Sequence, residues 1–282
     1  MAIPTDALWL ITGCSAGLGR ALACEALRRG HRVLASARNP ATLEALRAET
    51  PERMRTVALD VTDPGAIAMA IAAADAWGGV DVLVNNAGYG YLAAIEEGSD
   101  AAIRSVFETN FFGAAALIRA ATPGLRERRR GAIVNISSIA GFVGGAGSGY
   151  YAATKFALEG LSDALYDELR PHGIAVLSVQ PGPIRTEFAG RSLAFAAPIQ
   201  AYAETAARRH HWIREMDGRQ SGDPEAIAAL TVAAILESDP PRRLFVGNMS
   251  MELATRRANA IKETVESWRT RSSETDYPTR DG

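Results

Sequence analysis

AIVNISSIAGFVGGAGSGYYAATK, residues 132–155, is the stretch that decides the fold. Ile133, Val134 and Ile136 predict a short buried strand. The five glycines between positions 141 and 149 then require a turn, because glycine destabilises the interior of both strands and helices. The chain must therefore leave a strand here and enter a different element.

The element that follows is predicted to be a helix. From Tyr151, apolar residues recur every three or four positions as far as Leu169, so Tyr151 and Lys155 share one helical face. A tyrosine hydroxyl, with an unperturbed pKa of about 10, can carry protons at neutral pH when a fixed cation stabilises its phenolate. Ser138, at the strand end, could bind a substrate oxygen beside it. Such a pair also occurs on many helices as an interfacial aromatic ring and a solvated ammonium, so the pair alone does not establish an active site.

Composition narrows the class of protein. The chain has 282 residues, of which 48% are hydrophobic and 22% charged, as in one large globular domain or two small ones. A formal charge of -2 gives no electrostatic basis for binding nucleic acid or an anionic membrane. Cys14 and Cys24 lack metal-like partners, and no signal sequence or membrane-spanning run is present. We expect a soluble cytoplasmic protein without a metal site.

Short apolar strands alternate with amphipathic helices along the chain, which predicts an α/β fold with one doubly wound parallel sheet of about seven strands and helices on both faces. We expect a single domain over residues 1–268 and a loosely ordered polar tail over 269–282. The predicted strands are 8–12, 32–36, 56–60, 80–84, 132–136, 174–179 and 244–246, and the predicted helices are 17–29, 41–49, 63–77, one or two within 99–125, 151–169, 224–236 and 251–268.

The first turn of this sheet has the glycine pattern of a dinucleotide site. Gly13 allows a sharp exit from the strand, Gly17 lets the backbone approach a pyrophosphate, and Gly19 lets helix and strand pack closely. The free amides at the helix start face the anion. Ser15 and Leu18 complete the predicted contacts of this loop. The spacing is Gly-x-x-x-Gly-x-Gly, which is weak support when it stands alone.

The ends of the next strands extend the site. No carboxylate ends the second strand, where Arg38 stands, and a cation suits the 2′-phosphate of NADP(H) better than the free ribose of NAD(H). A solvated arginine is the alternative interpretation. Asp60 and Val61 could bracket an adenine edge. The residues Asn86, Ala87 and Gly88 follow the fourth strand, at the carboxyl edge where ligands bind in open sheets.

Together these residues resemble the short-chain dehydrogenase/reductase family from Leu8 to about Val246, which implies a Rossmann-type domain. Tyr150 is not the match for the catalytic tyrosine, because Thr154, rather than a lysine, lies four residues further on. Gly-Cys-Ser in the first turn and Arg38 are similar to NADP-using members near the 17β-hydroxysteroid and retinol dehydrogenase-like branch. The motifs that match, in family order and spacing, are the glycine loop at 12–19, Asn-Asn-Ala-Gly at 85–88, Asn110, Ser138, the Tyr-x-x-x-Lys motif at 151–155 and the Pro-Gly segment at 181–186.

The resemblance implies hydride transfer between a nicotinamide and a carbinol or carbonyl carbon. Tyr151 would exchange the proton with the substrate oxygen, and Ser138 would hold that oxygen. Lys155 would bind the nicotinamide ribose and keep Tyr151 acidic, and Asn110 would support a water-linked proton path. The cofactor residues that it implies after the sixth strand are Pro181, Gly182, the amide of Ile184 and Thr186, of which the last two would orient the carboxamide.

The segment 188–222 is long for a connection between a strand and a helix, and such connections often form substrate lids. Its aromatic residues, with Tyr89, Tyr91 and Phe142 near the motifs, favour an apolar or aromatic alcohol, ketone or aldehyde, although they could simply pack the lid. His210 and His211 have no third ligand nearby in sequence, so we do not expect them to bind a metal.

Two other functions stay open: an NADP(H)-binding sensor or scaffold without turnover, because fold alone does not establish function, and an epimerase or dehydratase. The intact catalytic set argues against the sensor. A homo-oligomer is also predicted, because two helical segments are apolar around more of their circumference than one sheet contact needs. The family resemblance implies that these helices form a two-fold interface, which would give a homodimer or homotetramer. These segments are 101–121, with Phe111, Phe112 and Ile118, and 151–169, with Phe156 and Leu161.

Overall fold

The short apolar runs form the strands of a sheet, and helices on both faces bury its central strands. The structure is a computed structural model and describes residues 3–277. Its strands are β1 (Leu8–Ile11), β2 (Arg32–Ala37), β3 (Met54–Ala58), β4 (Val82–Asn85), β5 (Gly90–Leu92), β6 (Gly131–Ile136), β7 (Ile174–Pro181), β8 (Leu193–Phe195) and β9 (Arg243–Val246).

Helices connect successive strands, and several begin where the sequence offers a cap. Asp63 accepts a hydrogen bond from the amide of Gly65 ahead of Pro64, and Asp223 caps the helix that starts at Pro224 in the same way. The helices are α1 (Gly17–Arg28), α2 (Glu44–Glu49), α3 (Pro64–Asp75), α4 (Asp100–Phe107), α5 (Ala114–Arg128), α6 (Gly149–Leu169), α7 (Phe188–Arg191), α8 (Arg208–Glu215), α9 (Pro224–Leu236) and α10 (Asn248–Ser273).

The main sheet has seven parallel strands in the order β3-β2-β1-β4-β6-β7-β9, so the predicted α/β fold is confirmed. The register places Trp9 of β1 between Val33 of β2 and Val82 of β4. Because the chain winds outward in both directions from β1 and β4, their carboxyl ends form the switch point at which ligands bind in open sheets.

The core consists of one apolar layer on each side of the sheet. On one side, α1 and α9 cover residues such as Trp9, Val84 and Leu177. On the other side, α3, α5 and α6 cover residues such as Leu10, Leu83 and Val176. Burial of both layers fixes the sheet, and the loops at its carboxyl edge are held by that frame.

Several predicted boundaries were wrong. The third strand starts at Met54 rather than Thr56, because buried Met54 pairs with Val33, so Asp60 and Val61 lie beyond the strand. The prediction of one or two helices within 99–125 is confirmed, since α4 and α5 lie there on either side of a π-helical turn, but α5 continues to Arg128. The helix predicted over 41–49 begins as a 3-10 turn at Pro40–Leu43, and α2 follows it. β5 and β8 form a separate two-stranded parallel sheet that the sequence did not predict.

The last helix, α10, extends beyond the predicted end at 268. It continues to Ser273, so the first part of the predicted tail is helical, and positions 278–282 lie outside the described residues. Ser250 and Ala254 are its buried residues, and every residue from Thr255 to Tyr277 is exposed. Among residues 3–277, no helix is long and apolar enough to cross a membrane.

Candidate active site

The glycine loop after β1 has the backbone shape that a dinucleotide requires. Gly13 and Gly17 adopt φ angles of +72° and +58°, a region that side chains other than glycine rarely adopt. A Cβ on Gly19 would lie 2.3 Å from the carbonyl oxygen of Gly13. Each of the three glycines is thus required by the path of the loop, and this cradle fits the pyrophosphate of a nicotinamide dinucleotide.

Thr12 locks this loop to the end of β4. Its hydroxyl oxygen accepts hydrogen bonds from the amides of Asn86 and Ala87, both at 2.9 Å. The Asn86 side-chain amide in turn donates to the carbonyl oxygens of Thr12, at 2.8 Å, and Gly13, at 3.2 Å. The role of Thr12 was not predicted, although a hydroxyl at a strand end before a glycine loop was a signal for it.

The remaining loop residues divide between surface and core. Ser15 is exposed and can face a ligand, whereas Leu18 is buried in the core, so its backbone amide is the part available to a phosphate. Cys14 is also buried, and burial raises the pKa of its thiol to about 12. This thiol therefore stays protonated inside the loop. Cys14 and Cys24 are both free.

An exposed cation stands just beyond the carboxyl end of β2. Arg38 follows β2, and its charge helps to lower the pKa of Asp60, after the larger effect of the Thr62 backbone amide and the Thr62 hydroxyl. Asp60 accepts hydrogen bonds from both groups, at 2.9 Å and 2.7 Å, which fixes its carboxylate. The next residue, Val61, is buried and offers its backbone.

Tyr151, Ser138 and Lys155 converge at the start of α6. Burial raises the pKa of the Tyr151 hydroxyl, and a hydrogen bond with Ser138 opposes that effect. The Lys155 ammonium lies 6.0 Å from the centroid of the Tyr151 ring and donates a 2.8 Å hydrogen bond to the carbonyl oxygen of Ile136. Burial lowers the pKa of Lys155 to about 8, and the charge of Glu159 opposes this shift.

Asn110 lies in the π-helical turn Glu108–Gly113 and joins this group to β5. Its side chain donates to the carbonyl oxygen of Tyr89 and to the hydroxyl of Thr154, and accepts from the amide of Tyr89. A Cβ on Gly88 would lie 3.0 Å from the Asn110 side-chain oxygen and 3.8 Å from the Lys155 nitrogen. Gly88 therefore lets the loop after β4 approach both residues. Such π turns are frequent at functional sites.

Tyr150 has a packing role. Its hydroxyl donates a 2.6 Å hydrogen bond to the carbonyl oxygen of Ile95, and its ring stacks on Tyr91 with the centroids 6.2 Å apart. A Cβ on Gly98 would lie 2.3 Å from the ring of Tyr150. These contacts engage both the ring and the hydroxyl of Tyr150 and leave Tyr151 as the tyrosine beside Ser138 and Lys155.

The Pro-Gly segment, residues 181–186, starts at the end of β7 and brings Thr186 close to the glycine loop. Pro181 is buried at the strand end, and Gly182 packs beside the start of α10. Ile184 bridges to Gly222, which closes the base of the 188–222 segment. A Cβ on Gly17 would lie 3.2 Å from the Cβ of Thr186, so Thr186 reaches the glycine loop.

The 188–222 segment covers Tyr151. The Phe188 ring lies 6.4 Å from the Tyr151 ring, centroid to centroid, and β8 pairs with β5. The position of Phe188 beside Tyr151 was not predicted, because nothing in the local sequence distinguishes Phe188 from the other aromatic residues of the segment. His210 is buried against the carbonyl oxygen of Gly147, at 2.8 Å. In residues 3–277, no group of three or more His, Cys, Asp or Glu could hold a metal ion.

Comparison with known proteins agrees with this geometry. The family model for short chain dehydrogenase matches residues 7–195. The chain is 35% identical to oxidoreductase BOA17 of Botryotinia fuckeliana, over 93% of this chain and 96% of that protein. It is 37% identical to human retinol dehydrogenase 8, over 83% and 79%. It is 35% identical to 3-ketodihydrosphingosine reductase of Bacteroides thetaiotaomicron, over 84% and 87%.

Solved structures give the same assignment. A short-chain dehydrogenase from Streptomyces avermitilis matches with a TM-score of 0.91 and 39% identity, over 96% of this chain and 99% of that one. A short chain dehydrogenase from Burkholderia cenocepacia in complex with NADP has a TM-score of 0.72 and 26% identity, over 95% and 98%. A Burkholderia phymatum protein in complex with NAD has a TM-score of 0.76 and 24% identity, over 100% and 99%, and supports the fold. This chain belongs to the short-chain dehydrogenase/reductase family and is an NAD(P)-dependent oxidoreductase that acts on CH–OH or C=O groups.

Proposed function

We propose that this protein transfers hydride between NADP(H) and a secondary alcohol, ketone or aldehyde on an apolar or aromatic substrate, with Tyr151 as the acid/base. The observation that carries the proposal is that Tyr151, Ser138 and Lys155 converge beside the loop after β4. This loop is in turn hydrogen-bonded to Thr12, at the start of the glycine loop. Proton and hydride transfer occur at one carbon and its oxygen, so the groups that serve them must lie together.

Backbone amides of the glycine loop, including those of Ser15 and Leu18, would hold the pyrophosphate. Asp60 and Val61 would bracket the adenine, and the segment 181–186, with Ile184 and Thr186, would orient the nicotinamide. A bound nicotinamide dinucleotide supplies or accepts the hydride. Asn86 holds the loop in shape, so its contribution to binding is indirect.

Tyr151 would give its proton to the substrate oxygen during reduction and take it back during oxidation. Burial raises the pKa of this hydroxyl and so favours the protonated form that reduction needs. Ser138 would hold the same oxygen, with the hydroxyl that hydrogen-bonds Tyr151 in this structure turning toward the substrate. Lys155 would place a positive charge beside the phenolate that forms on Tyr151. Asn110, in the π turn, would support a proton path through water.

Arg38 supports NADP(H) over NAD(H). The guanidinium is exposed at the end of β2, the position at which the ribose 2′-substituent is recognised in this type of sheet. A 2′-phosphate would pair with it in charge-assisted hydrogen bonds.

Two observations support an apolar substrate. The Phe188 ring lies against Tyr151, so the reacting oxygen would enter beneath an apolar wall. Two relatives are named for retinol and for 3-ketodihydrosphingosine, which are both largely hydrocarbon molecules. In this proposal the 188–222 segment is the substrate lid of a single catalytic domain that assembles as a homodimer or homotetramer. We place the protein in the cytoplasm, since both cysteines are free thiols.

The test is a fluorescence titration with NADPH, followed by a panel of alcohols, ketones and aldehydes read at the nicotinamide absorbance. We expect NADPH binding and turnover that increases with the apolar size of the carbonyl compound. NADPH binding without turnover on any member of a broad panel would favour a cofactor-binding sensor instead. Failure to bind either dinucleotide would overturn both functions.

A further inference from the structure

A buried carboxylate lies one helical turn beyond Lys155. Tyr151, Lys155 and Glu159 are spaced four residues apart on α6, so they follow one another along one face of the helix. Lys155 is 6% exposed and Glu159 is 5% exposed. Charged side chains are rarely buried to this extent unless they are paired. Neither the family resemblance nor the proposed proton transfer assigns a task to Glu159.

Two neighbours fix the Glu159 carboxylate. One oxygen accepts a 2.6 Å hydrogen bond from the Ser178 hydroxyl on β7, and the other accepts a 3.2 Å hydrogen bond from the Arg243 guanidinium on β9. Arg243 also binds Asp163, one turn further along α6. The carboxylate is therefore held in one position by two strands at the edge of the sheet.

The groups that face Lys155 are mostly neutral. Its ammonium donates to the carbonyl oxygen of Ile136, and the Asn110 side chain lies beside it across Gly88. The charged or titratable side chains that bear on it are Tyr151 and Glu159, both on α6. Burial of an ammonium favours its neutral form, and a nearby fixed anion favours its charged form.

We propose that Glu159 is a positioning residue that keeps the Lys155 ammonium charged at neutral pH and thereby sets the pH range in which Tyr151 can exchange protons. This inference rests on the proposed function for its link to turnover, but the effect on Lys155 itself does not. Proton exchange by Tyr151 would thus depend on Glu159, two turns further along α6. Through the bond of Glu159 to Arg243, it would also depend on the edge strand β9.

The chain offers a direct measurement, because Lys155 and Lys262 are its two lysines. Protein labelled with ¹³C at lysine Cε gives two signals to follow from pH 6 to pH 11. Lys262, exposed on α10, is the reference, and Lys155→Met assigns the signals. In the wild type, we expect the Lys155 signal to titrate with a pKa of about 8.

Glu159→Gln keeps the size of the side chain and removes its charge. We expect the Lys155 midpoint to fall by about one pH unit, a tenfold weaker hold on the proton. Asp163→Asn is the matched control, because it removes another carboxylate bound to Arg243 from the same helix, and it should leave the Lys155 midpoint in place. Arg243→Gln should move the midpoint upward, because the anion is then no longer offset by a cation.

The alkaline limb of the carbonyl-reduction rate should follow the Lys155 midpoint in each variant. An unchanged Lys155 midpoint in folded Glu159→Gln would overturn the inference and leave Glu159 as a structural anchor for β9. If Glu159→Gln does not fold, Arg243→Gln provides the test. A Lys155 midpoint that does not rise in this variant would also overturn the inference. Absence of turnover in the wild type would count against the proposed function, while the lysine titration still decides the role of Glu159.

Discussion

A single oxygen atom separates Tyr151 from phenylalanine, so Tyr151→Phe isolates the proton-transfer role. We expect the fold and NADPH binding to survive while turnover falls by roughly 10²- to 10⁴-fold, the usual loss when general acid/base catalysis is removed. Turnover and NADPH affinity, measured side by side, check this. Tyr150→Phe is the control, because the Tyr150 hydroxyl bonds the carbonyl oxygen of Ile95. Inactive Tyr150→Phe beside active Tyr151→Phe would show that the motif had been read in the wrong register.

The cofactor preference depends on Arg38. Arg38→Asp should weaken NADPH binding by about ten- to 150-fold, because a charge-assisted hydrogen bond contributes on the order of 1.5 to 3 kcal/mol, and should improve binding of NADH. Dissociation constants for both dinucleotides, taken from fluorescence titrations, test this. Arg47→Asp, at an exposed arginine of α2, controls for the change in net charge and should leave both constants unchanged. A wild type that binds NADH more tightly than NADPH contradicts this role of Arg38.

The sequence predicted the site residues whose roles depend on local geometry. Tyr151 and Lys155 sit four apart on one helix, and the glycine loop is defined by its own spacing. Thr12 and Phe188 were missed because their roles arise from contacts with distant residues. Thr12 contacts Asn86 across 74 positions, and the Phe188 ring lies beside Tyr151 because of how the 188–222 segment folds.

At the scale of elements, the 188–222 segment, which we propose as the substrate lid, is held by carboxylates that precede α4. Glu97 accepts hydrogen bonds from the amides of Ile199, at 2.9 Å, and Ala94, at 2.7 Å, and Glu96 accepts from the hydroxyl of Tyr202. The bond from the Ile199 amide is the main cause of the lowered pKa of Glu97. A lowered pKa means that this attachment is present at neutral pH and is lost as the pH falls below the ordinary range of a glutamate.

We therefore expect Glu97→Gln to loosen the lid, since one amide oxygen cannot replace two carboxylate oxygens. Hydrogen exchange of the amides in 193–202 should become roughly three- to tenfold faster at pH 7, with no change in β6. Glu204→Gln, at an exposed carboxylate of the same segment, serves as the control. Equal exchange in wild type and Glu97→Gln would mean that β5–β8 pairing alone holds the lid.

The elements were predicted accurately where burial requires apolar residues at regular intervals. They were predicted inaccurately where contacts between distant residues set the boundaries. The long helices and the buried strands of the main sheet carry repeats of apolar residues, and these repeats were visible in the sequence. β5 and β8 have three residues each, too few for a period, and they pair across about 100 positions. The third strand was displaced by two residues because the pairing of Met54 with Val33, rather than any local signal, sets its start.

At the scale of the molecule, two exposed rings mark the helices that we expect to form the subunit interface. Phe112, beside α5, is 50% exposed, and Phe156, on α6, is 43% exposed. Ile118 is buried under the sheet and Leu161 packs against the same layer, so their apolar character needs no partner subunit. The candidate interface is therefore narrower than the sequence indicated.

A double change of Phe112→Asp and Phe156→Asp should convert a dimer or tetramer into smaller species, because two charges would replace apolar contact area. Sedimentation velocity at micromolar concentration measures this. Met69→Asp, at a 63% exposed residue of α3, should leave the assembly intact. A wild type that sediments as a monomer would remove the basis for this interface.

The exposure of α10 has a consequence for how the molecule unfolds. Beyond Ala254 the helix is supported by its own hydrogen bonds and by surface pairs such as Arg256 with Glu252 and Arg269 with Glu266. Most of the stability of a helix in a protein comes from tertiary packing of one face, which this part of α10 lacks, whereas the main sheet is covered by helices on both faces. On warming, helical circular dichroism should therefore begin to fall while NADPH affinity is still intact, so the two signals describe separate transitions and a single melting temperature would not describe this chain.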